Sequence, residues 1–198
     1  MMFVGLPLAF RFKVFPFPPI PALWLLAAYC IWQLFADPSF DRRLLWNAEV
    51  LPYYWSKIFL GFALVAVVVG GGVYFLRPDL LFNFVRREPW LWALAMVFYP
   101  IASVYPQGII YRAFIFHRYR ALFPHTMLLV FVSALAFAFV HIIFRNPVAL
   151  AFTLAGGFLF AWRYSQCNSV LVTSLEHALY GCLMFTVGLG EYFYKGAR

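Results

Sequence analysis

Six long apolar runs, separated by short stretches of proline and charge, divide the chain and predict helices that cross a lipid bilayer. The first runs from Ile20 to Ala36 and stops at Asp37-Pro38; the second, Ile58 to Leu76, ends in Arg77-Pro78-Asp79. The third, Trp90 to Tyr105, meets Pro100 and Pro106, which predicts a break or kink near both. A new helix is expected from Gln107 to Tyr119, with Pro106 in its first turn, where a missing N–H is not needed. Met127–Phe144, Val148–Tyr164 and Ser169–Leu189 follow as the fourth, fifth and sixth runs, before a charged tail. A span needs about 20 apolar residues, and these runs are 16 to 21 residues long. Residues 1 to 19 end in the proline-rich VFPFPPIP, which reads as an interfacial lead-in rather than an unbroken helix. Gly70-Gly71-Gly72 is expected either to let a neighbouring helix come close or to act as a flexible kink, and Gly156-Gly157 is expected to be another close-contact point. The expected fold is all-α: one polytopic transmembrane bundle of about six spans with an additional broken or interfacial helix, occupying residues 1–198 as a single domain.

Composition agrees with that pattern. Hydrophobic residues make up 65% of the chain and charged ones 11%, against roughly 45–50% and about 25% in a soluble domain. The formal charge of +8 does not point to nucleic acid, because Arg42-Arg43, Arg86-Arg87 and Arg118/Arg120 sit at the ends of apolar runs, where they face lipid headgroups. Aromatic residues, 22% of the chain, suit interfacial belts and packing inside the membrane. The Lys and Arg residues fall almost evenly on the two sides, so they give no orientation. Cys30, Cys167 and Cys182 show no metal-ligand or disulfide spacing. The apolar start MMFVGLPLAF precedes Arg11 and Lys13 instead of following them, so no cleavable signal peptide is expected. The chain is expected in a prokaryotic inner membrane.

Against this background the ionisable residues inside apolar runs stand out: Arg112, His141, Glu176 and His177. Each is costly in lipid without a partner or a wet cavity, so such groups mark a candidate site. Phe137 and His141 are four apart on a helix and share a face. Glu176 and His177 are adjacent, so their side chains leave the helix about 100° apart and serve different neighbours. Glu176 is a candidate structural partner for Arg112, which otherwise has only Gln107 and backbone carbonyls within reach.

The stretches YRAFIFHRY, FAFVHIIFRNP and SLEHALYG resemble those of the CPBP (Abi) family of intramembrane proteases, over roughly Tyr99 to Tyr194. Its motifs are Glu-Glu-x-x-x-Arg, then Phe-x-x-x-His, then a later His-x-x-x-Asn. Arg112 matches the first, Phe137 and His141 the second, and His177 the third. The resemblance implies an endopeptidase that cuts a membrane-embedded or lipidated peptide, with a water activated by glutamate and histidine. It departs at Gln107-Gly108, where the family has its glutamate pair, and at Gly181, where it often has asparagine. A glutamine positions water without accepting its proton, and glycine does neither.

Three readings follow. The chain is a protease that recruits Glu176 or a histidine as base, or a member that binds a membrane peptide without cutting it, or a small transporter using the His/Glu/Arg set as a relay. Against the last, no matching halves with broken helices are present. No cofactor is expected, and no metal, since a Glu-x-x-His pattern is absent and two histidines make a poor metal site. The expected partners are the lipid bilayer and the peptide substrate, with no nucleic acid.

Overall fold

The computed structural model describes residues 2–193, which are helical with no strand among them. The charged tail expected beyond them lies outside the described residues. Seven principal helices follow in order: α1 (Met2–Arg11), α2 (Pro19–Ala36), α3 (Leu51–Leu76), α4 (Pro89–Leu122), α5 (Thr126–Val140), α6 (Pro147–Cys167) and α7 (Val170–Thr186). Helices α2 to α6 are long and apolar enough to cross a membrane, counting with α5 the 3-10 turn that carries it to Phe144. The sixth expected span is α7, with 17 residues. It packs against α3, α4 and α6, so it is lodged among other helices rather than against lipid. The protein is an integral, multi-pass membrane protein.

The start of each helix has a local cause. Pro19, Pro52, Pro89 and Pro147 stand in first turns, where no N–H is required. The Asn146 side chain accepts from the Ala149 amide at 2.7 Å, and Ser169 caps α7 by accepting from Val172, satisfying donors that a helix start leaves free. Beyond α2, Asp37 accepts from the amide and hydroxyl of Ser39 and from His117. The Ser39 hydroxyl, then His117, hold its carboxyl well below the usual carboxylate range.

Three expectations need correction. The lead-in is helical over Met2–Arg11, with Pro7 inside it, and the proline-rich break is confined to residues 12–18. Helix α4 is not broken at its prolines: π-helical turns at Pro100–Val104 and Ile109–Phe114 carry it through. Pro106 has no N–H for the Ala102 carbonyl one turn earlier, and the Trp24 indole of α2 donates to that oxygen instead, at 3.0 Å. At the second π turn the Ser133 hydroxyl donates to the Tyr111 carbonyl at 2.6 Å. Last, Gly70, Gly71 and Gly72 meet nothing within 4 Å. Helix α3 instead approaches α7 at Gly61, where an added Cβ would lie 3.2 Å from the Tyr180 hydroxyl. Of the second glycine pair, Gly157 is the close contact, since a Cβ there would lie 3.1 Å from the Ala134 carbonyl of α5.

Candidate active site

His141 sits at the C-cap of α5, where the helix tightens into a 3-10 turn. Its Nδ1 lies 2.6 Å from the Phe137 carbonyl. A carbonyl only accepts, so Nδ1 carries the proton and Nε2 keeps its lone pair. His177 belongs to the middle of α7 and is stacked on Phe160 of α6, with ring centroids 4.6 Å apart. The Phe137 ring lies between the two imidazoles, 4.7 Å from His141 and 5.3 Å from His177. The two rings are therefore no further apart than the sum of those lengths, and both line one cavity of about 250 Å³. Its other walls include Tyr99, Phe160, Thr153 and Gly181, with apolar side chains of α3, α6 and α7.

Tyr99 is a neighbour that sequence reasoning missed. Its hydroxyl lies 3.4 Å from His177 Nε2. A Cβ at Gly181 would lie 2.3 Å from that hydroxyl, so the phenol fills the space that a side chain four residues after His177 would need. No pattern in the sequence announces this contact, which depends on where α4 crosses α7.

The remaining polar residues do not reach the cavity. Gln107, Gly108 and Arg112 lie behind its wall, on the inner face of α4. Arg112 is 1% exposed, and its guanidinium carbon rests 4.9 Å from the Phe137 centroid and 5.3 Å from that of Phe160. Gln107 donates to Ser103 at 2.7 Å. Gly108 marks the point where α4 and α7 touch: a Cβ there would lie 2.7 Å from Ser174 Oγ and 2.9 Å from Val170 Cγ1. The contact is too tight for any side chain without a shift.

Glu176 does not pair with Arg112. Both of its oxygens accept from Arg163 of α6, at 3.0 and 3.1 Å, and the pair is fully enclosed, with Tyr54 of α3 against the guanidinium. Arg163 was overlooked in the sequence, although an arginine within Val148–Tyr164 carries the same signal as Arg112. A carboxylate engaged on both oxygens and turned toward α6 is poorly placed to take a proton in the histidine cavity. Among the described residues, no three His, Cys, Asp or Glu side chains converge to hold a metal ion.

The structure defines a multi-pass helical bundle with two imidazoles on one apolar-walled cavity. A family likeness follows from sequence: residues 87–183 match the model described as type II CAAX prenyl endopeptidase Rce1-like. Over those residues, just under half of the chain, it is similar to this family of CAAX protease-like membrane endopeptidases. The match begins ahead of α4 and ends within α7, so it covers both histidines, Arg112 and Gly108. No curated protein and no solved structure matches the chain.

Proposed function

We propose that the protein is an intramembrane endopeptidase acting on a membrane-associated, prenylated or otherwise lipidated peptide, in a prokaryotic cytoplasmic membrane, and that it is impaired as its sequence stands. The observation that carries this reading is the pair His141 and His177 on the two sides of Phe137, facing one cavity. In the reaction, a water held in the cavity against His141 attacks the peptide carbonyl, and the tetrahedral intermediate breaks its C–N bond to expel the amine, which leaves with the proton that His141 took from the water. His141 Nε2, unprotonated and fixed by the Nδ1 bond to Phe137, serves as acceptor, and His177, in the tautomer that carries its proton on Nε2 beside the Tyr99 hydroxyl, supports the oxyanion. Arg112 positions Phe137 from behind. Gly108 contributes no carboxylate, and general acid–base groups are worth about 10²–10⁴-fold in rate, so the native chain is expected to cut slowly.

Reconstituted with a fluorogenic membrane-embedded peptide, the chain is expected to show slow cleavage that His141→Ala and His177→Ala each remove. Thermal stability in detergent should fall by about 1–3 kcal/mol at most, with the variants still folded, which separates loss of chemistry from loss of fold. Cleavage that survives both substitutions would refute the reading. The second reading, a member that binds such a peptide without cutting it, is favoured by the tight packing at Gly108 and by the engagement of Glu176 with Arg163. It is recognised by saturable peptide binding that both histidine variants retain, with no product formed.

A further inference from the structure

Behind the cavity wall, five buried polar atoms find no hydrogen-bond partner in the protein: Arg112 Nη1 and Nη2, Gln107 Oε1, Ser174 Oγ and His177 Nδ1. They come from two touching helices. Gly108, between Gln107 and Arg112 on α4, is the point where the backbone meets Ser174 of α7. Ser174 and His177 are three apart on α7 and share a face. Arg112 and His177 both rest on the rings of Phe137 and Phe160. All four residues are more than nine-tenths buried.

The charge balance of this cluster is one-sided. A buried guanidinium stays charged, and each charge taken from water into an apolar interior costs several kcal/mol unless it is paired. None of the protein's seven acidic residues pairs with Arg112, and Glu176, the acid within the bundle, has both oxygens on Arg163. Four of the five unpartnered atoms are donors or can act as donors. The guanidinium fork presents two parallel N–H groups, Ser174 a hydroxyl, and His177 Nδ1 an N–H when Nε2 accepts from Tyr99. Gln107 Oε1 is the one acceptor of the set. A fork with two parallel donors fits a carboxylate in bidentate fashion, with the correct charge to neutralise it.

We infer that Arg112, Ser174 and His177, with Gln107 beside them, form a buried receptor for a carboxylate anion. Size selects the ligand. The atoms are enclosed and the α4–α7 contact at Gly108 is tight, so a free acid must be small. A longer acid reaches Arg112 only if its tail lies in the apolar cavity on the far side of Phe137 and Phe160. The inference goes beyond the protease reading and does not depend on it, because binding is read from stability, and a chain that cuts no peptide passes or fails equally.

The test is thermal unfolding of the purified full chain in detergent, at constant ionic strength, with formate, acetate, octanoate or chloride. A ligand at about a hundred times its Kd adds stability equivalent to a Tm rise of about 5 °C or more. Formate is expected to raise Tm saturably and more than acetate, with octanoate and chloride inert; a larger rise with octanoate than with formate assigns the same receptor to a lipid acid. Arg112→Met should abolish the response. If that variant does not fold, Ser174→Ala, which removes one charge-assisted hydrogen bond and no charge, should weaken formate about tenfold. A rise with chloride equal to that with formate, no saturable rise with any acid, or a formate response unchanged in these variants would overturn the proposal.

Discussion

At the scale of single residues, the contact between Tyr99 and Gly181 shows how a motif position can be vacated on one helix and its space filled from another. A side chain at position 181 would have to occupy the volume of the phenol, whose Oη, Cε1 and Cζ lie 2.3, 2.4 and 2.6 Å from the added Cβ. Overpacking of that kind costs roughly 1–3 kcal/mol. Gly181→Ala should therefore lower stability by about that amount, and the loss should shrink in a Tyr99→Ala background, where the two changes couple; additive losses in a double-mutant cycle would mean that the ring is not what fills the site. The histidines and Arg112 were legible from sequence because an ionisable group in an apolar run has no ordinary reason to be there. Arg163 was equally legible and went unread. Tyr99 was not legible, since a tyrosine in an apolar run is common and only a helix crossing brings its hydroxyl to an imidazole.

At the scale of elements, the membrane forces each freed backbone group and each charge to find a partner on a neighbouring helix. Pro106 leaves the Ala102 carbonyl of α4 to the Trp24 indole of α2. Trp24→Phe should cost about 1–3 kcal/mol by stranding that oxygen, whereas in a Pro106→Ala chain, which regains the N–H, the same change should cost measurably less. The Arg163–Glu176 pair does for α6 and α7 what Trp24 does for α2 and α4. Breaking a buried pair from one side costs roughly 3–5 kcal/mol, so Glu176→Gln should lower the unfolding temperature sharply, and Arg163→Met with Glu176→Leu should recover part of the loss. Recovery of stability without any change in residual cleavage would separate Glu176 from the chemistry. The sequence carried the positions of these elements well and their contacts poorly. Prolines predict where helical hydrogen bonding is disturbed, but the π turns that carry α4 through depend on what α2 and α5 offer. Likewise three successive glycines permit a close approach without stating that a helix is there, and no neighbour lies within 4 Å of where a Cβ of Gly70, Gly71 or Gly72 would be.

At the scale of the whole molecule, the distance between α4 and α7 limits which side chain position 108 can carry. A glutamate at position 108 lies one turn before Arg112, so in sequence terms Gly108→Glu restores both a proton acceptor and the counter-ion of the guanidinium. In the folded bundle the substitution meets Ser174 and Val170 before it meets Arg112. The hydroxyl of Ser174 can rotate, but Val170 is β-branched, stiff at χ1 and completely buried at the start of α7. Gly108→Glu alone should therefore push α7 outward, lower stability by about 1–3 kcal/mol, and displace His177 from its place on Phe160. Adding Val170→Ala removes the Cγ1 contact and should let the carboxylate settle beside Arg112 with the cavity unchanged. The double variant is expected to cleave a membrane-embedded peptide about 10²–10⁴-fold faster than the native chain at neutral pH, and His141→Ala in that background should return it to the starting rate. Val170→Ala by itself should raise nothing, because it makes room without supplying a base. If the double variant folds, keeps the native unfolding temperature and still cuts no faster than the parent, the bundle lacks more than a carboxylate, and peptide binding without cleavage becomes the function to pursue.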